Sequence, residues 1–151
     1  MRWAASGLVL ALVLSACAPK GPPGIDKAAL NEAVGSAIGD PNTCVLILER
    51  GGDVVWRMGT NMTCARTRPS CQGEGSLTVE DLGRLAAGGE TRNVSCPGPN
   101  GLVGWAAGPV PAGGAAREGQ YAYAAGMVGE RALPGREIAR RLENALAKAG
   151  L

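Results

Sequence analysis

The 151-residue chain has no histidine and no phenylalanine, and only 3% of its residues are aromatic. Without histidine there is no Ser-His-Asp or Cys-His catalytic arrangement, no imidazole metal ligand and no imidazole pH switch. Without phenylalanine, the core must be built from aliphatic side chains and a few Trp and Tyr. Charge of one sign is also missing: 15 Lys and Arg face 13 Asp and Glu, with no basic run, which argues against a nucleic-acid partner. No Ser-x-x-Lys and no Cys-x-x-Cys occurs, and the stretch Ala112-Gly113-Gly114-Ala115 lacks the Lys-Ser or Lys-Thr of a phosphate loop. These absences exclude several nucleophile, dithiol, zinc and phosphate-binding readings. The length suits one domain with a core of its own, with no cofactor needed to hold it.

What is present begins with an address. Residues 1–16 carry a basic Arg2, an apolar stretch interrupted only by small residues, and Ser15-Ala16 at the end. A run of this length with a cationic flank is a secretory signal, whereas a spanning helix needs about 20 apolar residues. Leu14-Ser15-Ala16-Cys17 resembles the lipobox of bacterial lipoproteins. That resemblance implies removal of residues 1–16 and acylation of Cys17 with palmitate-type chains, with the membrane as partner through the anchor. Two or three acyl chains make such attachment stable, where one does not. Ala18 in place of Asp implies, by the same resemblance, the outer membrane and a domain facing the periplasm. Residues 17–25, rich in Pro and Gly, are expected to be the lipidated Cys and a semi-extended tether of roughly 25 Å at about 3.1 Å per residue. The folded domain is expected at 26–151.

Setting Cys17 aside leaves Cys44, Cys64, Cys71 and Cys96, an even set that reads as two disulfides in an oxidising compartment, with no metal and no cofactor expected. Asp26 opens a helical pattern with Ile25, Ala29, Leu30, Ala33, Val34, Ala37 and Ile38 on one stripe, stopped by Gly39-Asp40-Pro41. Cys44 to Leu48 and Val54 to Met58 read as two strands joined by a tight turn in which Gly51 and Gly52 both take positive φ. The second strand places Val54, Trp56 and Met58 on one side. Residues 59–75 read as a polar loop. Thr78 caps a short helix that ends at Gly88-Gly89. Strands are expected at about 91–96, 102–110 and 120–128, and Pro134 opens a last helix with Ile138, Leu142, Ala145, Leu146 and Ala149 on one stripe. Its other face carries Arg136, Arg140, Arg141 and Lys148 and is expected to be solvated.

The predicted order is α-β-β-α-β-β-β-α. It resembles the roadblock, profilin and GAF-type α/β domains, and the resemblance implies one antiparallel five-stranded sheet of order 2-1-5-4-3 packed on the first and last helices. In that sheet the start of strand one lies beside the end of strand two, while strands one and three are about 14 Å apart, beyond reach of a disulfide. The resemblance therefore favours Cys44–Cys64 and Cys71–Cys96 over Cys64–Cys71 and Cys44–Cys96. Gly104-Trp105-Ala106-Ala107-Gly108 and Tyr121-Ala122-Tyr123-Ala124-Ala125 also look like the end of the serine β-lactamase and transpeptidase fold, but without that family's motifs they imply a non-catalytic remnant. Ser70 and Ser95 have no Lys beside them in sequence, and no pair of carboxylates is placed for acid/base work.

The expected function is a non-catalytic binding or assembly module of the envelope with an envelope protein as partner; the alternative is an envelope hydrolase. Trp56, Trp105, Tyr121 and Tyr123 are candidate interaction anchors on the sheet face left open by the two long helices; otherwise they fill the core. Peptide mapping of the oxidised protein should recover Cys44–Cys64 and Cys71–Cys96 fragments; the other pairing would contradict the implied strand order.

Overall fold

The computed structural model describes residues 19–151; the leader, the lipobox and Cys17 lie outside the described residues. Asp26 accepts the Ala28 amide and caps α1 (Lys27–Ile38), whose Leu30, Val34 and Ile38 are buried. β1 (Cys44–Glu49) and β2 (Val54–Met58) form an antiparallel hairpin. The Thr78 hydroxyl and the Asp81 carboxylate cap each other's backbone at the start of α3 (Val79–Ala87), and the Thr78 amide holds the Asp81 carboxyl below its usual range. β5 (Arg92–Gly98), β6 (Gly101–Pro109) and β7 (Tyr121–Gly129) follow, and α4 (Gly135–Lys148) closes the chain, with Pro134 in the cap position.

Among the described residues the architecture is α+β, with one five-stranded antiparallel sheet and four helices. Its order, β2-β1-β7-β6-β5, differs in numbering from the expected one because the segment read as a loop holds further elements. These are α2 (Asn61–Ala65) and a separate two-stranded ribbon of β3 (Arg68–Pro69) and β4 (Ser76–Leu77).

Edge strand β5 leaves Ser95 and Pro97 exposed, but both faces of β1, β7 and β6 are buried. On one, Val45, Ile47, Trp56, Tyr123, Ala125 and Met127 pack with the apolar stripes of α1 and α4. On the other, Cys44, Leu46, Leu48, Trp105, Ala107 and Ala124 pack with Val79, Leu82 and Ala86 of α3. The face expected to be open is therefore covered by α3. Small residues set the approach. A Cβ on Gly126 would sit 2.8 Å from Val79 Cγ2 and 3.0 Å from the Trp105 ring, and one on Gly104 would sit 2.1 Å from the Leu133 carbonyl oxygen.

Two local expectations are corrected. The β1–β2 turn has one left-handed glycine, not two: Gly52 (φ 91°) donates its amide to the Glu49 carbonyl, and the Glu49 amide donates to Asp53. This is the longer hairpin turn that ends in an αL glycine. The register then slips, pairing Ile47 with Trp56 but Leu48 with Val54. The bulge sends Val54 to the α3 side while Val55, Trp56 and Met58 stay with α1 and α4. The tether, likewise, is docked. The Gly21 amide donates to the Val55 carbonyl at 2.9 Å, Ile25 turns back to Pro22, and Pro22 is buried.

Gly104→Ala should lower the unfolding free energy in urea by about 2–3 kcal/mol, because the added methyl meets backbone that cannot yield. Gly113→Ala, which meets nothing within 4 Å, should change it by no more than about 0.5 kcal/mol.

Candidate functional site

The four aromatic candidates are core residues. Trp56 and Trp105 are 0% exposed, Tyr123 1% and Tyr121 4%. Each polar tip is bonded inside the fold. Trp56 Nε1 donates to Asn31 Oδ1 at 2.9 Å, Trp105 Nε1 to the Pro69 carbonyl at 2.7 Å, and the Tyr123 hydroxyl to Glu143 at 2.7 Å; the Tyr121 hydroxyl accepts from Gln120. Burial and the Glu143 carboxylate push the Tyr123 phenol far above its ordinary pKa. With no Phe in the chain, these rings supply the bulk that fills both layers, so none is left as an exposed anchor.

The serines also have structural places. Ser70 is buried with its hydroxyl donating to the Gln72 carbonyl, and Ser95 is exposed on the edge strand. Cys44 pairs with Cys64 (Cα–Cα 5.2 Å) and Cys71 with Cys96 (5.3 Å). Among the described residues no group of Cys, Asp and Glu could hold a metal ion, and no helix is long and apolar enough to cross a membrane.

The two disulfides bracket a residue that sequence reading passed over. Arg68 lies between the bridged cysteines and is 3% exposed. Its Nη2 donates to the Thr63 carbonyl at 3.0 Å and to the Asn42 carbonyl at 3.5 Å, and its guanidinium lies 5.7 Å from the centroid of the Trp105 ring. Nε and Nη1 have no hydrogen-bond partner among the described residues. Burial, and then the charge of Arg66, lower its pKa. Several arginines are paired elsewhere: Arg57 with Glu80, Arg84 with Asp81, Arg92 with Glu90, Arg131 with Asp40, and Arg140 and Arg141 with Glu137. No such pair forms at Arg66 or Arg68 among the described residues.

Arg66 and Arg68 share a cavity of about 210 Å³ with Asn42, Pro69, Asn100 and Val128. It adjoins a shallower depression of about 490 Å³ reaching Asp40 and Arg131. Both lie where β1 begins, β6 begins and β7 ends, at one end of the sheet. The cavity has amide, hydroxyl, guanidinium and apolar walls. Arg66-Thr67-Arg68 lies within the polar segment 59–75, whose composition is that of a solvated loop and carries no signal of burial.

Comparison of the chain with protein-family models, curated proteins and solved structures found no match.

An unpaired buried cation costs several kcal/mol of desolvation, against which one good carbonyl bond and a ring contact are modest returns. Arg68→Met should therefore raise the unfolding free energy by about 1–2 kcal/mol in urea. A loss of stability of that size would show that the carbonyl bonds and Trp105 outweigh the desolvation.

Proposed function

We propose that this chain is a lipid-anchored envelope protein that acts by binding, held through Cys17 to the outer membrane and facing the periplasm. The observation that carries the reading is Leu14-Ser15-Ala16-Cys17, only four residues before Gly21, where the chain docks on the edge of β2. The disulfides support export, since such bonds persist in oxidising compartments. All four cysteines after Cys17 are bridged, which leaves Cys17 as the thiol for acylation.

The start of the described chain, at Pro19, and the cleft are at opposite ends of the sheet. Pro19 accepts a hydrogen bond from Lys27 at the start of α1, and Ile25 lies beside Gly150. That end of the domain also carries the β1–β2 turn and the loop before β7, because Glu49 pairs with Tyr121 and Ala115 bonds to Gly150. The cleft is formed at the far end of the same strands. A short free spacer at Cys17 would thus present the cleft away from the bilayer, to a partner in the periplasm. An envelope protein is the partner class this orientation favours.

The sheet supports the likeness to roadblock, profilin and GAF-type domains as the finer reading of the fold. With the β3–β4 ribbon left out of the count, the order β2-β1-β7-β6-β5 becomes 2-1-5-4-3.

Growth with radioactive palmitate should label the protein. Cys17→Ala should lose the label and leave the membrane fraction. Unchanged fractionation of that variant would refute the anchor.

A further inference from the structure

We infer that the cavity between Arg66 and Arg68 is a binding site for a carboxylate carried on a small apolar body. The inference rests on reading the domain as a binding module and names the ligand class of its cleft. Two guanidinium groups converge on one concavity, and their mutual repulsion is relieved by no acidic side chain among the described residues. Arg68 is fixed from behind by the Thr63 carbonyl and the Trp105 ring, so its charge cannot swing out to water. A charge held in a low-dielectric wall projects into the concavity and attracts a counter-ion there. Arg66, exposed at the mouth, is free to make the direct charge-assisted hydrogen bonds.

The remaining walls choose among anions. Pro69, Pro99, Val103 and Val128 are apolar, which suits the organic body of a carboxylate, while Asn42, Thr67 and Asn100 are the polar walls beside the two arginines. The volume of about 210 Å³ fits a side chain or chain terminus more readily than an extended polymer.

Trp105 offers a built-in reporter. Its indole N–H donates to the carbonyl of Pro69, a wall of the cavity, whereas the indole of Trp56 bonds to Asn31 on the opposite face of the sheet. The full chain, labelled with ¹⁵N at tryptophan and held in a non-ionic detergent, would be titrated with isobutyrate at constant ionic strength. Inorganic phosphate and chloride form parallel arms.

Isobutyrate should move the Trp105 indole resonance saturably and leave that of Trp56 in place. Arg66→Ala should weaken the apparent affinity by about tenfold, and Arg68→Met should abolish the response. Arg66 is exposed, so its substitution leaves the fold intact and keeps the test decisive even if Arg68→Met perturbs packing. No saturable shift up to about 50 mM, a shift undiminished in Arg66→Ala, or a response to phosphate and not to isobutyrate would each overturn the assignment. Because the titration does not depend on lipidation, failure here and failure of palmitate labelling are separate results.

Discussion

A sheet buried on both faces is the constraint on which the rest of this structure depends. Gly104 in β6 and Gly126 in β7 leave room for backbone and helix to approach closely, with α4 and the segment before it on one side and α3 on the other. Each approach spends the apolar surface of a short helix on a strand face and gains about 25 cal/mol for each Å² removed from water. The large rings then have only one use. Trp56 and Tyr123 fill one layer and Trp105 the other. A sheet sealed in this way has no free face to offer a partner, so binding surface is confined to its ends and edges. One edge, at β2, is occupied in part by Gly21. The concave end is the one where Asn42, Asn100 and Gly129 meet.

The segment from Thr60 to Leu77 would not hold its place by burial alone. It is polar, and its elements are very short. Cys44–Cys64 ties its beginning to β1 and Cys71–Cys96 ties its end to β5, across loops of 20 and 25 residues. Crosslinks over loops of that length contribute about 3 kcal/mol each through chain entropy. What that covalent support maintains is a buried cation: Arg68 is held against Trp105 without an acidic partner among the described residues. Stability spent on a strained or desolvated group is a common mark of a functional site. The covalent frame and the proposed binding chemistry are in this sense one device.

The parts of this account that could be read from the residues are those governed by local rules. The Asp26 and Thr78 caps, the stripe of α1, the apolar run of β1 and the glycine stops all follow from short-range spacing, and the elements formed at nearly the expected bounds. The parts that could not be read depend on distant contacts. Whether Gly51 or Gly52 takes the left-handed conformation alters the sidedness of Val54, and periodicity does not specify a bulge. The cover on the second face comes from α3, a nine-residue helix whose place on the sheet is not specified by its own spacing. Arg68 was hidden more completely, because an arginine in a polar loop has the same sequence signature whether its guanidinium is solvated or pressed on a tryptophan.

The central claim is that both faces of the sheet are permanently closed, so that ligands meet the cleft at its end. Native-state hydrogen exchange on the full chain tests this directly, since a helix that opens as a lid exchanges below the global unfolding free energy. The amides of Leu82 to Ala87 in α3 should share the slow exchange of β1 and β7 and respond to denaturant with the same slope. Exchange in α3 that is orders of magnitude faster, with β1 and β7 still protected, would show a face that opens to expose Trp105 and would contradict the account.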